Sequence, residues 1–176
     1  MNEFVILGLV AIVVLTILLL VTIISIQNRM VRLEKLIEDA WSNIDVLLKR
    51  RYDLIPNLVE TTKAFATHEQ RVLSQLVKLR EQATQASSFA EIEQCERAII
   101  FEMKGFFARS ESYPELRSSA HFLHLQEELV NTEDRIAAAR RFYNNNVREY
   151  NIAIETYPGN ALKGERTPKP FFMKDF

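Results

Sequence analysis

Apolar residues follow two regimes along the chain. Phe4 to Ile26 is a run of 23 residues without a charge, relieved only by Thr16, Thr22 and Ser25. Beyond it, apolar positions recur at alternating steps of four and three: Leu33, Ile37, Ala40, Ile44, Leu47, then Leu54, Leu58 and Phe65. Arg51 and Thr61 are the two non-apolar members of this seam. The period is helical, and Leu36, Trp41 and Leu48 widen the stripe beyond a two-stranded coil, toward a multi-helix bundle. Pro56 lies inside the pattern, where proline ordinarily ends or kinks a helix. The phase is unchanged across it, which predicts a kinked but continuous helix. One phase shift falls between Phe65 and Val72, after which Val72, Leu76, Leu79, Ala83 and Ala86 resume the period. Unbroken, residues 29–86 make a rod of roughly 87 Å. Thr67 with Gln70 has capping-box spacing and offers a break there instead.

Ser87 and Ser88 end this stretch, and Ser88 with Glu91 is a capping box that opens the next helix. Ile92, Cys95, Ile99, Met103 and Phe106 form its stripe, and it stops near Glu111–Pro114, where proline pushes Tyr113 out of helical geometry. A last long helix carries Phe122, Leu125, Leu129, Thr132, Ile136, Ala139, Tyr143, Val147, Tyr150 and Ile154 in register. Pro158-Gly159 closes it. The tail has no helical period and holds Phe171, Phe172 and Phe176.

The charge-free run spans roughly 34 Å as a helix, enough to cross a bilayer core of about 30 Å. It is too long for the core of a cleaved signal, no Lys or Arg precedes it, and no A-x-A site follows. The expected architecture is therefore all-α. Residues 1–3 form a short flank and 4–26 a transmembrane helix. Residues 27–157 form an elongated antiparallel up-down bundle of three or four helices, and 158–176 an extended aromatic and basic tail. Arg29, Arg32 and Lys35 follow the span and none precedes it, so the positive-inside rule puts the N-terminus outside and the bulk of the chain in the cytoplasm.

Composition narrows the chemistry. Gly occurs four times and Pro five times, and no Gly lies between Gly8 and Gly105. Phosphate-cradling loops, Rossmann turns and nucleophile elbows need more glycine than this. A single cysteine, Cys95, excludes an intramolecular disulfide and a cysteine-based zinc site; on its apolar stripe it reads as a packed thiol. The formal net charge is −1, and residues 27–176 are neutral, against a nucleic-acid groove. His121 and His124, with Glu127 and Glu128 a turn on, could present metal ligands on one helix face. No second helix supplies the rest, so no metal, cofactor or catalytic residue is assigned.

Other residues stand out as structural or interaction candidates. Arg50, Arg51 and Asp53 straddle the seam before Pro56, either as a partner site or paired with Glu128, Glu133 or Asp134, because a charge near a seam must be paired. Glu133-Asp134-Arg135 and Arg140-Arg141 read as a solvated face. Asn144-Asn145-Asn146 is weakly helical. Phe171, Phe172 and Phe176 would seat in a neighbour's groove or fold back on their own bundle.

Two stretches carry a resemblance. AWSNIDVLLKRRYDLIPNLVE (40–60) and LQEELVNTEDRIAAARRFYNNNVREYN (125–151) closely resemble signature segments of the LemA family, and Trp41, Pro56 and Tyr143 fall within them. Tyr113-Pro114, Tyr157-Pro158 and the N-terminal apolar segment fit the same resemblance; the stretch Ala161–Arg166 is shorter and more polar than the usual ending. The resemblance implies a bacterial protein of the inner membrane, single-pass, with its short N-terminus outside and no catalytic residues. The expected function is a non-enzymatic scaffold that self-associates, gathers other membrane proteins or shapes the membrane. The alternative is a ligand-sensing bundle that transmits a helix shift through its anchor.

Overall fold

The computed structural model describes residues 2–63 and 69–173. Helix makes up 86% of the described residues and no strand occurs among them, which establishes the all-α class. The helices are α1 (Asn2–Thr62), α2 (Gln70–Gln85), α3 (Phe89–Ser110), α4 (Pro114–Arg117), α5 (Ala120–Glu155) and α6 (Gly159–Leu162). α1 runs through Pro56 without a break. The period from 29 to 86 belongs to two helices, parted between Thr62 and Gln70 where the phase shifts. The capping pair Thr67–Gln70, Phe65 and Phe176 involve positions outside the described residues. Ser88 closes the capping box on α3: its Oγ accepts from the Glu91 N–H, while the Glu91 carboxylate accepts from the Ser87 and Ser88 N–H groups. These bonds hold the exposed Glu91 carboxyl below its ordinary pKa.

The chain divides into two compact units. One comprises residues 42–141 and holds the end of α1, then α2, α3, α4 and the first part of α5. Arg80 Nε on α2 reaches the Tyr52 carbonyl on α1, and Arg109 at the end of α3 pairs with Glu69 just before α2. Phe106 and Phe107 near the end of α3 meet Phe122 near the start of α5. Each contact joins residues about equally far from the intervening connection, so successive helices are antiparallel. The result is an up-and-down four-helix bundle around Ile44, Ile55, Leu76, Ile99, Phe106 and Leu129.

The buried face of α1 departs from the expected seam. Ile37, Ala40, Ile44, Arg51 and Leu58 are buried as expected, but Leu48, Ile55 and Thr62 are buried in place of Leu47, Leu54 and Thr61. Leu47 and Leu54 are half-buried. A strict seven-residue seam advances 3.5 residues per turn, whereas a straight helix advances 3.6 and drifts about 20° per heptad. After two heptads the neighbouring position has rotated inward. α5 shows the opposite outcome: of its ten expected seam residues all but Leu125 are buried.

The second unit comprises residues 1–41 and 142–174, with most of α1, the end of α5, α6 and the tail. From Phe4 to Ile24 the apolar side chains of α1 with described burial are nearly all exposed. Among the described residues this is the one helix long and apolar enough to cross a membrane. Beyond it, Met30, Ile37 and Ala40 of α1, Val147, Tyr150 and Ile154 of α5, and Phe172 and Met173 of the tail are buried and make up this unit's core. The tail thus includes a short helix, and it folds back over the α1–α5 pair of its own chain.

Candidate functional site

Arg51 is the largest side chain with no solvent exposure. It keeps its place in the apolar seam of α1 and so points inward, where an unpaired cation is strongly disfavoured. Two carboxylates meet it. Nη2 donates to Glu96 of α3 and Nη1 donates to Glu133 of α5, the latter at 2.7 Å. Glu96 is itself fully buried, and its other oxygen accepts from the Tyr52 hydroxyl at 2.5 Å. One cation thereby links three helices. Burial pulls the Arg51 pKa down while Glu133 opposes that shift, and burial pushes Tyr52 up to about 12. Arg51 Nε is buried without a hydrogen bond among the described residues. At the bundle surface Arg50 pairs with Glu128, chiefly through a hydrogen bond that lowers the Glu128 pKa.

The Tyr52 carbonyl has a second role. Pro56 has no N–H, so the acceptor four residues earlier loses its helical partner. That acceptor is Tyr52 O, and Arg80 Nε takes it at 2.8 Å. Proline in α1 therefore frees the atom by which α2 attaches.

In the other unit, Trp41 meets the edge of Phe172 at a centroid distance of 5.1 Å and lies 5.7 Å from Tyr143. The Tyr143 hydroxyl donates to the Pro170 carbonyl, and burial raises its pKa to about 12. Two asparagines hold the tail by its main chain. Asn144 donates to Phe172 O and accepts from Phe172 N; Asn151 does the same with Lys169. Glu34 accepts from the Tyr150 hydroxyl and lies near Arg166 and Lys169, at 3.7 and 3.8 Å.

The sequence candidates therefore fall into two groups. Arg51 and Glu133 meet in one unit; Trp41, Tyr143 and Phe172 meet in the other, with Phe171 half-buried beside them. Asp53 and Arg135 are exposed and join neither group, Arg135 bonding Asn131 on its own helix. His121 and His124 are exposed on α5, and no three His, Cys, Asp or Glu side chains converge among the described residues. Sequence reasoning missed Tyr52, Arg80, Glu96 and Glu34. Only Glu96 left a trace, as an acid directly beside the apolar stripe of α3. The Asn144–Asn146 run was visible, but its grip on the tail was not.

These features define a class: an all-α protein with a helix of membrane-spanning length, tied by buried ion pairs and side-chain-to-backbone clamps. The LemA family model matches residues 40–172, which takes in both groups. The chain belongs to the LemA family. It is similar to the magnetosome protein MamQ of Magnetospirillum gryphiswaldense, at 29% identity over 69% of this chain and 54% of that one. The magnetosome proteins MamQ 1 and MamQ 2 of Paramagnetospirillum magneticum each share 28% identity over 80% of this chain and 61% of theirs. The chain thus spans between 54% and 61% of the length of these relatives.

Proposed function

We propose that this protein is a non-enzymatic membrane scaffold, anchored by residues 4–26, that self-associates and organises membrane proteins or membrane shape. The carrying observation is the Arg51–Glu96–Glu133 cluster, in which charged groups are spent on one another inside a bundle. Such a cluster fixes how helices pack and presents no reacting group to a substrate. The magnetosome relatives support a role at a membrane. The proposed location is the bacterial inner membrane, with the N-terminus outside and the bulk cytoplasmic, following the basic residues after the span.

One observation favours sensing as a second reading. Glu133 also lines a cavity of about 180 Å³ with Ile100, Met103, Phe107 and Leu129, so a small ligand there would compete with Arg51 for the carboxylate. Pockets for ordinary small ligands run roughly 300–1,000 Å³, which keeps scaffolding first. Crosslinking in native membranes with mass spectrometric readout tests the choice. Links between copies, or to a recurring set of membrane proteins, are expected. A protein that is monomeric and unlinked at every expression level would remove the scaffold reading and leave sensing.

A further inference from the structure

The end of α5 and the short α6 turn the chain at a particular height along α1. Tyr150 donates to Glu34, Gln27 Nε2 donates to the Leu162 carbonyl, and a Cβ on Gly159 would lie 2.9 Å from Met30 Cε. The corner Tyr157–Leu162 therefore sits beside Gln27–Met30, directly after the charge-free run ends at Ile26. Four helical residues from Ile26 to Met30 rise about 6 Å. The headgroup layer of a bilayer extends roughly 5–7 Å beyond its hydrocarbon on each side.

We propose that this corner rests in the headgroup layer of the bilayer and that Tyr157 anchors it there. The inference depends on the reading of residues 4–26 as a membrane span. Tyr157 is 85% exposed in water, the most exposed large hydrophobic side chain among the described residues. A tyrosine ring suits the boundary between lipid and water, because its body is apolar and its hydroxyl stays hydrated. Pro158, Asn160 and Ala161 are exposed beside it, and Arg29 on α1 stands at headgroup height to meet lipid phosphates. Glu155 and Glu165 flank the corner, so attraction to anionic lipid is small and the aromatic ring carries the contact. The corner thereby gives the α1–α5 pair of its own unit a second point of attachment beside the span.

Nitroxide labels in the full-length protein test this. In a Cys95→Ser background, single cysteines replace Tyr157, Ala161, Ile24 in the span, or Asp39, which lies exposed about four turns beyond Ile24 along α1. Each protein is reconstituted in phosphatidylethanolamine–phosphatidylglycerol vesicles, and collision with oxygen and with a water-soluble nickel chelate is measured. Labels at 157 and 161 should show a several-fold loss of nickel accessibility relative to 39, at a depth between 39 and 24. The 161 label keeps Tyr157 in place, so a defect from losing the ring is separable. Nickel exposure at 157 and 161 equal to that at 39, with 24 shielded, would overturn the corner's contact and leave the span intact. Exposure at 24 as well would overturn the span and the inference with it.

Discussion

Removing the Arg51 guanidinium leaves Glu96 fully buried with, among the described residues, only the Tyr52 hydroxyl as partner. Arg51→Leu is therefore expected to lower stability by about 3–5 kcal/mol, the usual consequence of stranding a buried charge. Arg51→Leu with Glu96→Leu should recover most of that loss, because apolar replacement of a whole buried pair is often neutral. Thermal unfolding of the detergent-solubilised chain checks both. Tyr143 makes a pH prediction. Its pKa is raised from 10.0 to about 12 by burial, so the folded state holds the phenol proton more tightly than the unfolded state. That stabilisation is complete below pH 10 and is lost as the pH rises toward 12. Tyr143→Phe should flatten the decline of stability across that window, read from unfolding midpoints at successive pH values. At this scale the sequence revealed the need for a partner better than the partner itself. Glu133 was foreseeable because Arg51 stood in an apolar seam, whereas Glu96 read as surface, since an acid beside a stripe usually faces water.

Pro56 and Arg80 act as one device joining two helices. Pro56→Ala returns an N–H that competes with Arg80 for the Tyr52 carbonyl, so the fold should survive with little change or a gain in stability. Arg80→Met should cost about 0.5–1.5 kcal/mol with Pro56 present. It should cost less when position 56 is alanine, because the carbonyl then keeps a helical partner. A double-mutant cycle on the two positions reads this coupling; additive effects would mean that the Arg80 contact is independent of proline. Helices were the most legible feature of the chain. α5 followed its stripe at nine of ten positions because its steps already average close to 3.6, as did the capping box at Ser88. The α1 seam slipped because a heptad rule was applied to a helix that does not supercoil to match it. The tail was opaque, since its grip comes from side-chain amides bonding a main chain, and a main chain has no sequence signature.

The complete molecule poses the question of sidedness. Basic residues after the span predict that residues beyond Ile26 face the cytoplasm. Ser112→Cys in a Cys95→Ser background puts a thiol in the exposed turn after α3. In cells whose outer membrane has been made permeable, an impermeant maleimide should label it only after the inner membrane is lysed. Labelling of intact inner membranes would reverse the topology while leaving both units as described. A long apolar helix and a helical bundle were each legible, from the apolar run and the helical period. The division into two compact units at Trp41 and Phe142 was not, because α1 and α5 each pass through it without any break in pattern.

The two asparagine clamps also amount to a length standard. Asn144 and Asn151 stand seven residues apart on α5, a rise of about 10.5 Å. Their partners Phe172 and Lys169 are three residues apart on a proline-bearing segment without regular structure, which spans roughly 9–10 Å when extended. Helix and tail are thus commensurate at this one pairing, like two rulers whose marks coincide. Both clamps read only peptide groups, so what they fix is the count of residues between them. Pro170→Ala should leave protease resistance of the tail nearly unchanged. One residue inserted between Pro170 and Phe171 should put a clamp out of step and expose the tail to cleavage.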